Sequence, residues 1–217
     1  MDKVKLVIFD IDGTLLDSEQ DVTDAMNKTL LRHGYPPITS KEMKSFLGAD
    51  AEGITRLSIK KELTDDEIKE LTNEFLDIYV EGKSPKTKPF EDIPEVLKSL
   101  KDRGYILCAV SNKQEEEIAP LKERLLLPLG IEEVLGLSSK IPPKPNPYGA
   151  NLMMQKYGAN PKDVYFIGDG ETDVLTAING GMNCVAVLWG NRGQAELEKV
   201  GAKVFANKPT DLLDIIK

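Results

Sequence analysis

Three residue types that often carry chemistry are scarce in this sequence: cysteine occurs twice, tryptophan once and histidine once among 217 residues. Cys108 and Cys184 both lie inside apolar runs, so they read as small buried hydrophobes in a reducing compartment and supply no disulfide framework. The lone His33 falls in the last turn of an expected helix, where a cation complements the helix dipole; a structural role outweighs a catalytic one. No apolar run approaches the ~20 residues that a membrane span needs. Basic residues are outnumbered by acidic ones, 28 to 36, for a net charge of −8, which argues against a nucleic-acid or anionic-membrane surface. The opening Met1 to Lys5 leads straight into a strand-like run, so no cleaved leader is expected. Repeats and low-complexity tracts are lacking. Few aromatics mean no evident interface patch, leaving monomer and homodimer both open. The expectation is a soluble cytoplasmic protein.

What is present is a globular composition, 41% hydrophobic and 29% charged, long enough for one domain or one domain carrying an insert. Short, near-continuous apolar runs occur at Leu6–Phe9, Tyr105–Val110, Val164–Ile167 and Cys184–Leu188, with weaker ones at Glu133–Leu137 and Lys203–Phe205. Runs of this kind predict strands covered on both faces. Helical segments are expected between them at 94–102, 146–157 and 172–180. The alternation predicts βαβ units: an α/β fold with a doubly wound, Rossmann-like parallel sheet.

One stretch interrupts the alternation. Between the first strand and Pro89 lie roughly 70 residues without a convincing strand, far beyond an ordinary connection. Three helices are expected there. The first, 17–33, carries Val22, Ala25, Met26, Thr29 and Leu30 on one face and stops at Gly34. A shorter one covers 50–59, and a third opens on the capping box of Thr64 and Glu67 with Ile68, Leu71, Phe75, Ile78 and Tyr79 on its stripe. The expected organisation is therefore a core of residues 1–16 and 88–217 with a helical cap over 17–87, joined by linkers near 15–18 and 82–89.

Polar residues collect at the ends of the expected strands. The first ends in Asp10-Ile11-Asp12-Gly13-Thr14, the second in Ser111-Asn112-Lys113, and a later one in Gly168-Asp169-Gly170-Glu171-Thr172-Asp173. Lys144 is flanked by prolines in Pro142-Pro143-Lys144-Pro145-Asn146-Pro147, which fix the backbone and aim its amine; Lys140 is the rival lysine. In an open parallel sheet, reactive groups gather beyond the carboxyl ends of the strands. Singly, each feature has a plain alternative: a polar turn, a helix cap, a solvated loop lysine. Together, an acidic cluster with a hydroxyl and a lysine is the inventory for holding Mg²⁺ and a phosphate.

Those four motifs, in that order, resemble the haloacid dehalogenase-like hydrolase superfamily, most closely its phosphoglycolate-phosphatase branch with a helical cap after the first strand. Asn179-Gly180-Gly181-Met182, Val187-Leu188-Trp189-Gly190 and the run from Gly201 to Leu212 also resemble that branch. The resemblance implies a Mg²⁺-dependent phosphatase acting on a small phosphorylated metabolite, 2-phosphoglycolate first. Asp10 would be the nucleophile, already ionised at neutral pH, and Asp12 the general acid and base. Mg²⁺ would be held by Asp10, Asp12 (also through its backbone carbonyl), Asp169 and Asp173. Thr14, Ser111, Asn112 and Lys144 would meet the substrate, Lys144 offsetting charge at the transition state. Gly170 departs from the Ser or Thr common in that branch. Arg56, in the middle of the cap, is the candidate for reading a second anionic group of the substrate. Glu115-Glu116-Glu117 read as a solvated helix face, and Lys83, Lys86 and Lys88 as an exposed linker. Alternatives are a phosphosugar mutase on the same core, a pyrophosphatase, and a non-enzymatic phospho-accepting receiver domain, against which the Asp10-x-Asp12 spacing and the cap both weigh.

Overall fold

Four apolar residues in a row set the centre of the molecule. In the computed structural model, which describes residues 5–217, Leu6, Val7, Ile8 and Phe9 are all fully buried and form strand β1 (Leu6–Phe9). The leader-free opening expected over Met1 to Val4 lies outside the described residues. After β1 the chain makes a two-residue strand β2 (Leu16–Asp17), then helices α1 (Glu19–Arg32), α2 (Ser40–Phe46), α3 (Ala51–Ser58) and α4 (Asp65–Gly82), and returns through β3 (Lys88–Pro89). It continues through α5 (Ile93–Asp102), β4 (Ile106–Gln114), α6 (Glu115–Leu121) with a π-helical turn at Lys122–Leu126, and β5 (Glu133–Leu137). The remainder is α7 (Tyr148–Tyr157), β6 (Val164–Gly168), α8 (Glu171–Asn179), β7 (Asn183–Val187), α9 (Gln194–Lys199), β8 (Phe205–Ala206) and α10 (Leu212–Ile215).

Six strands form one parallel sheet in the order β5-β4-β1-β6-β7-β8. β1 is flanked by β4 and β6, with Ile8 opposite Cys108 on one side and Phe166 on the other. Successive side chains of a strand point to opposite faces. Val7 and Phe9 accordingly pack with Ile93, Val96, Leu97 and Leu100 of α5, whereas Leu6 and Ile8 pack with Ala150, Met153 and Met154 of α7 and Ala177 of α8. Helices therefore cover both faces, and this is the α/β, doubly wound sheet expected from the near-continuous apolar runs.

The helices between β2 and β3 have a core of their own, formed by Val22, Met26, Leu30, Met43, Leu71, Phe75 and Tyr79 among others. β2 and β3 pair antiparallel, Leu16 with Pro89 and Asp17 with Lys88, so both connections pass side by side. Asp21 of α1 secures them by accepting from the Lys86 and Thr87 amides at 3.0 and 2.6 Å and from the Thr87 hydroxyl at 2.7 Å. At the far end of α1, Glu74 accepts from Arg32 at 2.9 Å and lies 2.6 Å from His33 Nε2, the structural role expected of that histidine.

Two differences from the sequence reading bear on the site. α2 was not expected: only Met43 of its seven residues is buried, so it shows no apolar stripe, and the capping box of Thr39 and Glu42 starts it. β4 runs to Gln114 and carries Ser111, Asn112 and Lys113 as buried extended backbone beyond Val110. Among the described residues, no helix is long and apolar enough to cross a membrane.

Candidate active site

Asp10 follows β1 at the centre of the sheet, Ser111 to Lys113 end β4, and Asp169 follows β6. β4, β1 and β6 are adjacent, so their carboxyl ends bring these residues together. Lys144 arrives from the β5–α7 connection, and Asp173 lies in the first turn of α8, where its Oδ2 accepts from the Gly170 amide at 2.9 Å. Gly13 allows the tight passage of the loop after β1: its φ is +82°, and a Cβ there would overlap the Asp169 carboxylate and the Asn191 amide.

Carboxylate oxygens of Asp10, Asp169 and Asp173 lie within 4.8 Å of one another, and all three residues are buried. Lys144 Nζ stands between two of them, 2.6 Å from Asp10 Oδ1 and 2.6 Å from Asp173 Oδ1. The contact to Asp173 is a directed hydrogen bond. Asp10 Oδ1 lies off the hydrogen-bonding directions and has no such bond, so that contact is an ion pair alone. Asp169 is held on both oxygens: Thr14 Oγ1 donates to Oδ1 at 3.2 Å, and the Asn191 backbone amide and Nδ2 donate to Oδ2 at 2.7 and 2.9 Å.

Burial, reinforced by the neighbouring Asp173, pushes the Asp169 carboxyl up to about 6. Burial and then Asp173 likewise raise Asp10 well above the usual carboxylate range, against the opposing pull of Lys144. For Lys144, burial works against the charge, but Asp10 and Asp173 outweigh it and hold the ammonium above its ordinary value. Three ionised carboxylates facing one ammonium would leave two negative charges in a desolvated cluster, which is why burial pushes the Asp10 and Asp169 carboxyls up. Like charges this close repel, and hard oxygen donors of this kind fit a divalent cation such as Mg²⁺.

Asp12 does not join this cluster. Its side chain turns toward Lys113, whose Nζ is 3.2 Å away, and accepts from Ser18 Oγ; only its backbone carbonyl remains for a cation. Lys113 also lies 3.6 Å from Glu117 and 4.5 Å from the centre of the Tyr79 ring on α4. Burial opposes the Lys113 charge, yet Asp12, Tyr79 and Glu117 together hold it well above the ordinary lysine range. Asn112 fixes the loop of Lys144, its Oδ1 accepting from the Lys144 amide at 2.7 Å while its Nδ2 donates to the Gly48 carbonyl of the cap at 3.1 Å. Ser111 Oγ accepts from the Lys113 amide at 3.2 Å. A small cleft of about 30 Å³ lies here between Asp10, Asp12, Ser111, Asn112, Lys113 and Lys144 below and Leu47, Gly48, Ala49 and Ile54 of the cap above.

Several residues stand elsewhere than expected. Thr14 is fully buried and its hydroxyl is committed to Asp169, so it supports a carboxylate and does not face a substrate. Arg56 is exposed and lies outside the cavity lining: its guanidinium bonds Glu52 at 2.8 Å, one helical turn away, and Asp65 at 2.7 Å. Glu117 is buried, with its Oε2 accepting from the Gln114 amide at 2.9 Å, and does not share a solvated face with Glu115 and Glu116. Lys140 is exposed, leaving Lys144 as the buried lysine of the pair. Lys113 was named within its strand-end motif without a role, and Ser18 and Asn191 were not singled out by the sequence. Asn191 could have been found, because it follows the carboxyl end of β7, where the same topological rule applies.

The family model for "Haloacid dehalogenase-like hydrolase" matches residues 7–187. Phosphoglycolate phosphatase 1 of Pseudomonas aeruginosa is 30% identical over 209 residues, covering 94% of this chain and 76% of that protein. N-acetylmuramic acid 6-phosphate phosphatase of the same organism is 29% identical over 218 residues, covering 99% and 95%. A crystal structure from Lactobacillus delbrueckii subsp. bulgaricus, provisionally described as a phosphoglycolate phosphatase, superposes with a TM-score of 0.90 at 30% identity, covering 99% of each chain. A parallel sheet with a cap inserted after its first strand, carrying an aspartate cluster at its carboxyl edge, is the architecture of a capped hydrolase. The chain belongs to the haloacid dehalogenase-like hydrolases, and its relatives place it among the phosphatases of that family.

Proposed function

We propose that this protein is a Mg²⁺-dependent phosphatase that hydrolyses a small phosphate monoester, 2-phosphoglycolate first, through phosphorylated Asp10. The observation that carries the reading is the convergence of Asp10, Asp169 and Asp173 around Lys144 beneath a closed cap. Asp10, Asp169, Asp173 and the Asp12 carbonyl would hold Mg²⁺. Bound there, the cation would relieve the repulsion among the carboxylates and neutralise phosphoryl charge.

The chain's own residues supply the rest. An oxygen of Asp10 attacks phosphorus in line, and the bond from phosphorus to the ester oxygen breaks. Asp12 would pass a proton to the leaving alkoxide. Lys144 and Ser111 attract the phosphoryl oxygens as charge shifts onto them, while Asn112 fixes the Lys144 backbone. Asp12, now a carboxylate, takes a proton from water, whose oxygen attacks the phosphorus of phospho-Asp10 and releases inorganic phosphate and free Asp10. Lys113 and Ser18 hold the Asp12 carboxyl in place through both steps. Residues 17–87, acting as the cap, keep bulk water from this exchange.

The relatives' names include a two-carbon acid and an amino sugar acid as phosphate carriers, and phosphoglycolate recurs among them. The test is phosphate release from a panel containing 2-phosphoglycolate, hexose phosphates and pyrophosphate. The highest kcat/KM is expected on 2-phosphoglycolate, with activity lost on chelation by EDTA and in Asp10→Asn. Turnover that survives both controls overturns the assignment, and phosphoryl transfer to a sugar in place of water would make the enzyme a mutase.

A further inference from the structure

The loop between β7 and α9 touches both halves of the molecule. Trp189 Nε1 donates to the Thr14 carbonyl at 3.0 Å, and Asn191 holds Asp169. Gly190 passes so close that a Cβ would overlap the Asp169 carboxylate and the Gly13 carbonyl. Arg192, the next residue after Asn191, reaches the cap. Its Nη1 donates to the Lys44 carbonyl at 2.9 Å, and its Nη2 donates to those of Ser45 and Leu47 at 3.0 and 2.9 Å. Its Nε meets Glu171 Oε2 at 3.0 Å, and the side chain is 15% exposed.

The accepting carbonyls end α2, where the last C=O groups of a helix lack intrahelical partners and its dipole attracts a cation. A planar fork can satisfy several of them at once, which a lysine ammonium on a flexible stem does poorly. Immediately after them come Leu47, Gly48 and Ala49, the backbone that closes the cavity over Asp10 and Asp12. Glu171, which orients the guanidinium, stands two residues from both Asp169 and Asp173.

We propose that Arg192 is the latch that holds the cap shut over the aspartate cluster: a positioning residue that acts on the reaction by clamping the end of α2 from the core. The consequence for turnover rests on the phosphatase reading, but the latch itself is a statement about the cap. The proposed phosphoryl contacts all come from the core, so an unlatched enzyme still binds the ester and the loss falls on kcat.

The experiment compares the full-length wild type with Arg192→Gln, Arg192→Lys and Asp10→Asn by hydrogen exchange and by kinetics on p-nitrophenyl phosphate with Mg²⁺. In the wild type the Leu47 and Ala49 amides are bonded to Met43 and Phe46 and are expected to exchange slowly. Both Arg192 variants are expected to exchange about tenfold faster over 44–49, with β1 and β6 unchanged, and to lose about tenfold in kcat with KM within about twofold. Unchanged exchange over 44–49 overturns the latch, as does equal acceleration across the sheet, which would make Arg192 a general stabiliser. Asp10→Asn is expected to lose turnover and keep the cap protected. If it keeps turnover, the hydrolytic reading fails while the latch is judged on exchange alone.

Discussion

Lys144 faces two aspartates at the same distance, 2.6 Å from each, and it is the positive charge inside a cluster of three buried carboxylates. Removing one partner of a buried ion pair leaves the other charge desolvated and unpaired. Lys144→Met is therefore expected to lower kcat roughly 10²–10³-fold, the usual effect of deleting one group that stabilises transition-state charge. It should also increase the rise in Tm on adding Mg²⁺, because the variant's cluster carries one more uncompensated negative charge. Thermal melts with and without the cation check this; an equal rise in both proteins would mean that the lysine and the cation do not share the cluster. The residue scale is also where the sequence was least transparent. Asp10, Asp169 and Asp173 could be read from their places at strand ends. Glu117 could not, because it looks like one more solvated charge of the Glu115-Glu116-Glu117 run. Lys113 was named in its strand-end motif but has no role until Asp12 and the Tyr79 ring of the distant α4 stand against it. Arg56 misled because its two acidic partners occupy the cap exterior, a matter of how α3 meets α4.

At the scale of elements, short polar helices depend on their ends. α2 buries one residue, and its start is fixed by Thr39 and Glu42. The Thr39 backbone N–H, then Lys60 and the Thr39 hydroxyl, pull the half-buried Glu42 carboxyl down to about 2. A depressed folded-state value means that this contribution is fully present above about 4.5, the ordinary glutamate value, and is lost as pH falls through about 2. Glu42→Gln keeps a capping side chain and removes the titration. Its stability should vary less with acid over that window than that of the wild type, measured by denaturation at successive pH values; parallel curves would contradict the assigned cause. The other capping box, Thr64 with Glu67, was legible because a strong apolar stripe followed it. α2 was hidden because its apolar residues, Met43 and Phe46, are too few to make a stripe that stands out from the sequence. The strands were the easiest elements to read, since burial on both faces leaves β1 and β6 apolar throughout, whereas the extension of β4 through Ser111–Lys113 is polar and its burial comes from the cap.

At the scale of the whole molecule, one sheet edge supplies the charged cluster and one inserted helical unit with its own core covers it. The two paired connections, β2 and β3, join them at one side. Across the opening, Asn112 reaches the Gly48 carbonyl and Arg192 reaches the end of α2, so the closed form is held by groups that neighbour the cluster. In the proposed mechanism this assembly places a phosphoryl group on Asp10. Rapid-quench mass mapping after mixing the enzyme with 2-phosphoglycolate and Mg²⁺ tests it most directly. One phosphoryl group is predicted on the peptide containing Asp10, absent in Asp10→Asn and absent when EDTA is added before the substrate. Continued phosphate release with no adduct on Asp10, or an adduct on any other residue, would contradict the account.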